Sequence, residues 1–247
     1  MLLEGDAIVL AGATGRVGGA TLATLVHEGA RVVVVSRAVE RAQAAIDGIL
    51  DDAERAAAIA FAADLNDPAQ ASAVIAACVE RFGRVDAALS LAGDGHTVAL
   101  ADSTLEDLRR NLAAFTESAY NFALPALRAM LAQPYRDGAR SRGRIVVVTA
   151  GSSKQPAPGR GLFGAAKAGV NVLMQAIARE HKADGIVANG LVLGGVATDA
   201  ARHYLDADDF AAAATPQEVA DALAFLASDR GSGVNGALVD LNAREVD

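Results

Sequence analysis

Short, almost purely aliphatic runs alternate with longer amphipathic stretches along the whole chain. The runs VVVV at 32–35 and IVVV at 145–148 are apolar at every position, a pattern typical of strands that are buried on both faces. Strands of this kind that alternate with helices predict a parallel sheet with helices on both sides. We therefore predict an α/β fold, a Rossmann-type doubly wound sheet of about seven parallel strands.

The pattern sets out the elements in chain order. The predicted strands are Ala7–Ala11, Arg31–Val35, Ala58–Ala62, Asp86–Ala92, Arg144–Thr149, Val187–Leu193 and Ala237–Leu241. The predicted helices span 16–28, 38–50, 68–82, 104–133, 163–183 and 216–227. Neither a linker nor a break in composition interrupts this series, so we predict a single domain over residues 1–247.

Charge and residue usage exclude several classes of partner. With 22 basic and 30 acidic residues the net charge is −8, which repels phosphate backbones, so we expect no nucleic-acid partner. The single cysteine and four scattered histidines offer no metal-ligand spacing, so we expect no metal. The longest apolar run, Ala56–Ala63, is too short for a membrane span, and the first residues have no basic segment before their apolar stretch, so we do not expect a secretory signal. We expect a cytoplasmic protein.

A glycine-rich turn follows the first predicted strand. GATGRVGG places Gly12, Gly15 and Gly18 three residues apart where a strand passes into a helix, with Thr14 and Val17 between them. Glycines there allow a tight turn and the approach of a diphosphate, and the helix directs unpaired N–H groups at that anion. The turn predicts nucleotide binding, with an ordinary strand-to-helix turn as the alternative.

The end of the second strand bears on which dinucleotide fits. An acidic residue there normally accepts the ribose hydroxyls of NAD, but this chain has Ser36 and Arg37, with Arg16 inside the glycine turn. Guanidinium groups bind a 2′-phosphate in bidentate fashion. The pattern therefore favours NADP(H) over NAD(H); the alternative is a solvated helix start.

From Gly5 to Asn242 the sequence resembles the short-chain dehydrogenase/reductase family. The landmarks occur in the family's order: Asp64 and Leu65 after the third strand, Ala92 and Gly93 in SLAG, Asn111, and the segment 188–200 with Val196 and Thr198. The resemblance implies that Asp64 and Leu65 contact the adenine, that Asn111 holds a relay water and that the segment after the sixth strand wraps the nicotinamide. For Asn111 the alternative is a helix cap or kink, and Thr198 would contact the carboxamide or cap the next helix.

The catalytic positions depart from the family pattern. Where members carry Tyr-x-x-x-Lys, this chain has Phe163 and Lys167, and Ala150 stands where the family serine is expected. Phenylalanine has no hydroxyl to donate a proton, so the resemblance leaves Lys167 and Asn111 as the catalytic candidates. Lys167 is expected to bond the nicotinamide ribose; the alternative is a solvated lysine. Ser152 or Ser153 could replace the serine only after a shift of the loop.

Another proton donor and two functional hypotheses remain open. His96 follows the fourth strand near the expected mouth of the site, and histidine suits acid–base work near neutral pH, although a lone loop histidine is usually a surface residue. The chain is either an NADP(H)-dependent oxidoreductase for a small carbonyl, imine, enone or alcohol, or a catalytically inactive NADP-binding protein, a redox sensor or a supporting subunit. By resemblance, helices 104–133 and 163–183 would pair in a homodimer or homotetramer.

Overall fold

The computed structural model describes residues 1–203 and 205–241. Within them, seven strands form one parallel sheet in the order β3-β2-β1-β4-β5-β6-β7. The strands are β1 Ala7–Ala11, β2 Arg31–Ser36, β3 Ala58–Ala62, β4 Ala87–Ser90, β5 Gly143–Ala150, β6 Ile186–Leu193 and β7 Leu238–Leu241.

The direction of the strand order reverses beside β1, which pairs with β2 on one side and with β4 on the other. Ligands of doubly wound sheets bind at the carboxyl ends of the strands, next to such a reversal. Every residue of β1 and the four valines of β2 are buried, as the unbroken aliphatic runs predict. The topology therefore places the site at the mouth of β1 and β4.

Helices cover both faces of the sheet. They are α1 Arg16–His27, α2 Val39–Ile49, α3 Pro68–Phe82, α4 Leu105–Asn111, α5 Ser118–Ala132, α6 Gly161–Glu180, α7 Ala207–Ala212 and α8 Pro216–Ala227. One apolar core joins α3, α5 and α6 to the sheet, and a second joins α1, α2 and α8 to the opposite face. The predicted fold class, a doubly wound α/β sheet, is confirmed.

The predicted helical segment 104–133 is helical from Leu105 to Ala132, but it contains a turn of a different type. A π-helical turn at Leu112–Glu117 separates α4 from α5. Asn111, at the junction, donates its Nδ2 hydrogens to the carbonyls of His96 and Asp107, and Thr116 Oγ1 donates to the carbonyl of Ala166 on α6. These tertiary contacts are invisible to helical periodicity, which predicts only that the segment is helical.

The other boundaries differ by a few residues. β4 is shorter than predicted because the chain leaves the sheet after Ser90, while α6 begins earlier and ends at Glu180. The extension of the domain to residue 247 stays a prediction, and the family-like Asn242 lies outside the described residues.

Of the described helices, α6 alone has the length and hydropathy of a membrane span. It packs against β5 and β6 and buries Lys167 and Asn171, as a core helix does.

Candidate functional site

The glycine turn is held by close backbone packing. Gly12 has φ +98°, and a Cβ there would lie 2.9 Å from the carbonyl carbon of Leu91, at the end of β4. A Cβ on Gly18 would lie 1.9 Å from the oxygen of Gly12. Both positions exclude any side chain, because Gly12 packs on the segment that follows β4 and the start of α1 packs on Gly12.

The amino end of α1 is open to a ligand. Gly15 caps the helix without a side-chain hydrogen bond, and the first turn has no acidic residue. A Cβ on Gly15 would meet nothing nearer than the oxygen of Gly12 at 4.0 Å, and Thr14, Gly15 and Arg16 are all exposed. The backbone N–H groups and the positive end of the helix dipole therefore face open space that a phosphate can fill. Val17, by contrast, is half-buried against the core.

Arginines stand on both sides of this opening. Arg37 is exposed after Ser36, the half-buried last residue of β2, and forms no ion pair with a described residue. The guanidinium of Arg16 pairs with the Asp199 carboxylate, which follows β6 across 183 residues of chain. This contact joins the glycine turn to the segment after β6, at the two sides of the predicted cofactor groove.

The predicted adenine-binding residues follow β3. The backbone N–H of Asp64 donates to Gln70, and the Asp64 carboxylate accepts the N–H of Asn66. Leu65 is buried, and its carbonyl accepts a hydrogen bond from Asn121 on α5. Both therefore lie in an ordered loop at the same edge of the sheet as the glycine turn.

Lys167, on α6, extends its side chain to the carboxyl end of β5. Its Nζ donates to the carbonyl of Val148 at 2.8 Å and stands 4.2 Å from the centroid of the Phe115 ring. Burial lowers the pKa of Lys167 to about 7, since desolvation penalises the ammonium form. Among the described residues no carboxylate pairs with it, so its proton is weakly held.

An aromatic wall stands beside this lysine. The rings of Phe115 and Phe163 meet edge to face, with centroids 5.1 Å apart and planes at 84°. A Cβ on Gly95 would lie 2.8 Å from the Phe163 ring, and one on Gly93 2.3 Å from the Phe115 ring. The loop after β4, which includes Ala92, therefore rests on the ring that occupies the family's tyrosine position.

The serine position offers no hydroxyl. Ala150 ends β5, and the Ser153 hydroxyl accepts a hydrogen bond from Asn171 on α6 at 2.8 Å. Gly164 packs so tightly on the Ser152 carbonyl that a Cβ would lie 2.3 Å from its oxygen. A loop shift that brought either serine to the place of Ala150 would have to break these contacts.

Asn111 organises the loop that carries His96. Its Oδ1 accepts the N–H of His96, and its Nδ2 donates to the carbonyls of His96 and Asp107. The imidazole Nε2 of His96 lies 3.0 Å from Asp107 Oδ1 on α4. The side-chain amide of Asn111 is bonded to the protein backbone at both of its ends. Its relay-water role stays a prediction.

The segment after β6 packs back on the domain. Val196 forms a parallel bridge with Ala214, and Gly195 approaches Leu205. The Thr198 hydroxyl accepts the N–H of Ala201 at 3.3 Å, which is the capping contact held open as the alternative to carboxamide binding.

Sequence reasoning missed three partners. Asp107 was not paired with His96, Asp199 was not paired with Arg16, and Phe115 was not placed against Phe163. Asp107 has a local signal, since Thr104 three residues before it forms a capping box, but that signal predicts a helix start and not a histidine partner. No described group of three or more His, Cys, Asp or Glu residues could hold a metal ion.

A Rossmann-type sheet with a glycine turn open at the first helix defines a dinucleotide-binding class of fold. The model of the short chain dehydrogenase family matches residues 6–209. The chain therefore belongs to the short-chain dehydrogenase/reductase family, whose members are oxidoreductases that use nicotinamide cofactors on small molecules.

Individual relatives cover almost the whole chain. It is 27% identical to the 3-oxoacyl-(acyl-carrier-protein) reductase FabG of Vibrio cholerae, over 98% of each chain. It is 29% identical to the L-rhamnose 1-dehydrogenase (NAD(P)(+)) of a Sphingomonas strain, over 97% of this chain and 96% of that one. The structure of a doubly substituted mutant of a Serratia marcescens short-chain dehydrogenase/reductase superimposes with a TM-score of 0.84 at 24% identity, over 98% of each chain.

Proposed function

We propose that this protein is an NADP(H)-dependent oxidoreductase that acts on a small carbonyl, imine or enone, or on the corresponding alcohol, without a tyrosine as proton donor. The observation that carries the proposal is the open amino end of α1. In a chain of net charge −8, this turn supplies the local positive potential that an anionic cofactor requires.

The glycine turn would hold the diphosphate, with Gly15 at the closest approach. The experiment compares wild type with Gly15→Val by calorimetry with NADPH. Because a Cβ at Gly15 meets no protein atom within ordinary contact distance, the variant should keep the wild-type melting temperature and lose measurable NADPH binding. Wild-type protein that binds neither NADPH nor NADP+ would contradict the proposal.

Arg37 and Arg16 support the choice of NADP(H). Both guanidiniums are exposed beside the glycine turn and the end of β2, and Arg16 can exchange Asp199 for a phosphate at little cost because the pair is solvated. We expect Arg37→Ser to weaken NADPH binding roughly tenfold or more and to leave NADH binding unchanged, since a charge-assisted hydrogen bond contributes about 1.5–3 kcal/mol. Equal affinity of the wild type for both dinucleotides would argue against this selectivity.

Lys167 would bond the nicotinamide ribose from the end of β5. The bound nicotinamide would supply the hydride. This chain's residues would orient it: Lys167 at the ribose, the segment around Val196 and Thr198 at the carboxamide, and the Phe115–Phe163 wall beside the ring. Asp64 and Leu65 would contact the adenine, and Ala92 and Gly93 would line the groove.

The absent hydroxyls narrow the substrate. A positioned general acid typically contributes about 10²–10⁴-fold in rate, and neither Phe163 nor Ala150 can supply one. Iminium ions and conjugated enones depend least on such an acid, because an iminium nitrogen needs no proton and an enone can be protonated at carbon by water. We expect turnover of such compounds to exceed that of simple ketones in an NADPH-consumption screen.

The absence of hydroxyl groups at Phe163 and Ala150 also supports a second candidate. This is an inactive NADP-binding protein that acts as a redox sensor or a supporting subunit. The probe is the double variant Phe163→Tyr, Ala150→Ser. A large gain in ketone reduction would show that the pocket still aligns substrate and cofactor. Tight NADPH binding with no turnover by the wild type, and co-purification of a tyrosine-bearing relative, would favour the inactive candidate.

We also propose a cytoplasmic homodimer or homotetramer. Large apolar side chains are exposed on the helices that relatives would pair: Leu105 on α4, Tyr120 on α5 and Val172 on α6. Where such side chains adjoin on the surface, they form the kind of exposed apolar patch that marks an interface. Light scattering should give two or four chains for the wild type and a single chain for Val172→Asp.

A further inference from the structure

The loop after β4 carries a histidine that two residues of α4 hold in one orientation. We propose that His96, oriented by Asp107 and Asn111, is the proton donor that replaces the missing tyrosine. This inference rests on the proposed function, because it assigns the acid–base residue of that same reaction.

The first step of the argument is the backbone. Asn111 accepts the His96 N–H through Oδ1 at 3.3 Å and donates Nδ2 to the His96 carbonyl at 3.1 Å. Both backbone groups of one residue are thus bonded to one buried side chain, since Asn111 is fully buried. These two hydrogen bonds fix the backbone of His96, which an ordinary surface loop does not require and which a catalytic residue needs for its orientation.

The second step is the imidazole. The two oxygens of Asp107 have separate tasks: Oδ2 accepts the N–H and the hydroxyl of Thr104 and caps α4, while Oδ1 lies 3.0 Å from His96 Nε2. With Nε2 donating to Asp107, Nδ1 is the nitrogen that takes up and releases a proton, and no described residue bonds to it. A carboxylate that orients an imidazole through one nitrogen and leaves the other to react is a recurring arrangement in catalysis.

The third step is the location. Gly95, directly before His96, packs on the Phe163 and Phe115 rings. The histidine therefore follows immediately on the chain segment that touches the wall of the reaction site. It is half-buried, with its side chain 33% exposed, so it remains accessible to both substrate and solvent.

The elements packed against this loop carry charged groups on α4 and on or beside α6. On α4, Asp107 faces the imidazole and Arg110 acts on Asp107. On α6, Lys167 lies over Phe115, and Arg160, just before that helix, lies 5.8 Å from the centroid of the Phe163 ring. The hydrogen bonds from Thr104 lower the pKa of the Asp107 carboxyl, and His96 and Arg110 lower it further, so Asp107 stays ionised and can stabilise an imidazolium.

The step balances with a reduced nicotinamide dinucleotide as the hydride donor. As the substrate carbon receives the hydride, the π electron pair of the C=O or C=N bond moves to the heteroatom. The heteroatom takes the proton from Nδ1 of His96, and the neutral imidazole regains a proton from water. In the oxidation direction, Nδ1 accepts the proton from the alcohol.

The first test does not depend on turnover. Imidazole C2–H signals are followed by NMR while NADP+ is added, with His96 assigned through His96→Gln. The expected result is a shift of the His96 signal, caused by the positive nicotinamide, and none for His181. His181 is a matched control, because it also pairs with an aspartate, Asp184, but at the far end of α6. Calorimetric binding without a shift at His96 would overturn the inference and leave the cofactor proposal intact.

The second test uses turnover with NADPH and the best ketone of the screen, because the ketone oxygen must take up a proton as the carbon receives the hydride. We expect His96→Gln to lower kcat at least about 100-fold, with unchanged NADPH affinity. The pH profile of kcat should also differ from that of the wild type. Asp107→Asn should lower kcat and alter the profile as well. His181→Gln, the matched control far from the site, should keep kcat and the profile of the wild type.

The remaining outcomes distinguish a failure of the His96 role from a failure of the proposed function. Full activity of His96→Gln overturns the role of His96 alone. A wild type that binds NADPH but turns over no compound overturns the oxidoreductase proposal and the inference with it. A wild type that binds no dinucleotide overturns both at the cofactor step.

Discussion

The two ends of the parallel strands treat buried charge differently. At the amino edge, where the strands begin, Asp6 and Asp86 precede β1 and β4 and are paired with arginines. At the carboxyl edge, where the strands end, Lys167 is buried with no described carboxylate partner. Arg144 bonds Asp6 at 3.0 Å, and Arg84 bonds Asp86 at 2.7 Å. The Asp86 carboxylate also accepts the N–H of Ala7. The amino edge pairs its buried carboxylates with arginines. At the carboxyl edge the ammonium group of Lys167 is buried without a described carboxylate that would offset the loss of solvent.

The pKa values follow this difference. Burial raises the pKa of Asp6, but Arg144 and Arg136 oppose that shift, while Asp86 adds to it. Burial lowers the pKa of Lys167 to about 7, and nothing described opposes it. Burial therefore penalises the charged form at both edges, but only the amino edge supplies opposite charges that oppose the penalty. The carboxyl edge retains binding capacity that an anionic or hydroxylated ligand would satisfy.

The largest effect is expected where the carboxyl edge depends on close packing. Gly18→Ala places a Cβ against the Gly12 oxygen, so we expect a loss of several kcal/mol of stability and of dinucleotide binding. Gly48→Ala in α2 is the control: a Cβ there meets nothing within 4 Å, so stability should rise by about 0.5–1 kcal/mol. Urea unfolding measures both, and a fully stable Gly18→Ala would refute the packing argument.

The amino edge should lose stability when one charge is removed. Arg144→Met leaves Asp6 and the carbonyl of Ala227 without their buried partner, and we expect a loss of about 3–5 kcal/mol. Arg55→Met, whose ion pairs are solvated, should cost about 0–1 kcal/mol. If the two variants unfold at the same urea concentration, the amino edge does not carry the stability assigned to it.

Lys167→Met should move stability in the opposite direction. Lys167 holds its proton less tightly when folded, so the unfolded chain binds more protons between about pH 7 and 10.5, and wild-type stability rises with pH across that window. The variant buries no ammonium group, so its free energy of unfolding should exceed that of the wild type by about 1–2 kcal/mol below pH 7. This difference should shrink towards pH 10.5. NADPH binding should be weaker than in the wild type. Lys154→Met, an exposed control paired with Asp240, should show no such pH dependence. Thermal melts across this range are the measurement.

The smallest effect is expected at the exposed contact across the groove. Asp199→Asn removes the partner of Arg16, and stability should change by less than about 1 kcal/mol because both side chains are solvated. NADPH affinity should increase slightly, since Arg16 no longer has a competing carboxylate. A decrease in affinity would show that the Arg16–Asp199 pair supports the cofactor groove.

Local patterns account for most of the fold. β1 and β3 have their predicted bounds, as do α3 and α8, because aliphatic runs, an Asp67–Pro68 helix start and the Thr215 capping box are signals carried by neighbouring residues. The π-helical turn at Leu112–Glu117 was not predicted, because a helical pattern does not distinguish it from an α-helix, and the contacts of Asn111 with His96 and of Thr116 with α6 are tertiary. The site residues were placed at one edge of the sheet by the parallel topology alone.

The amino-acid sequence by itself determined the alternation of strands and helices, the glycine turn and the absence of hydroxyls at Phe163 and Ala150, since each is a property of adjacent residues. Only the tertiary structure decided that Asp107 meets His96, that Arg16 reaches Asp199 and that Lys167 loses its solvent. Such contacts depend on where distant segments pack, and the desolvation that shifts a pKa exists only once the chain has folded around the group.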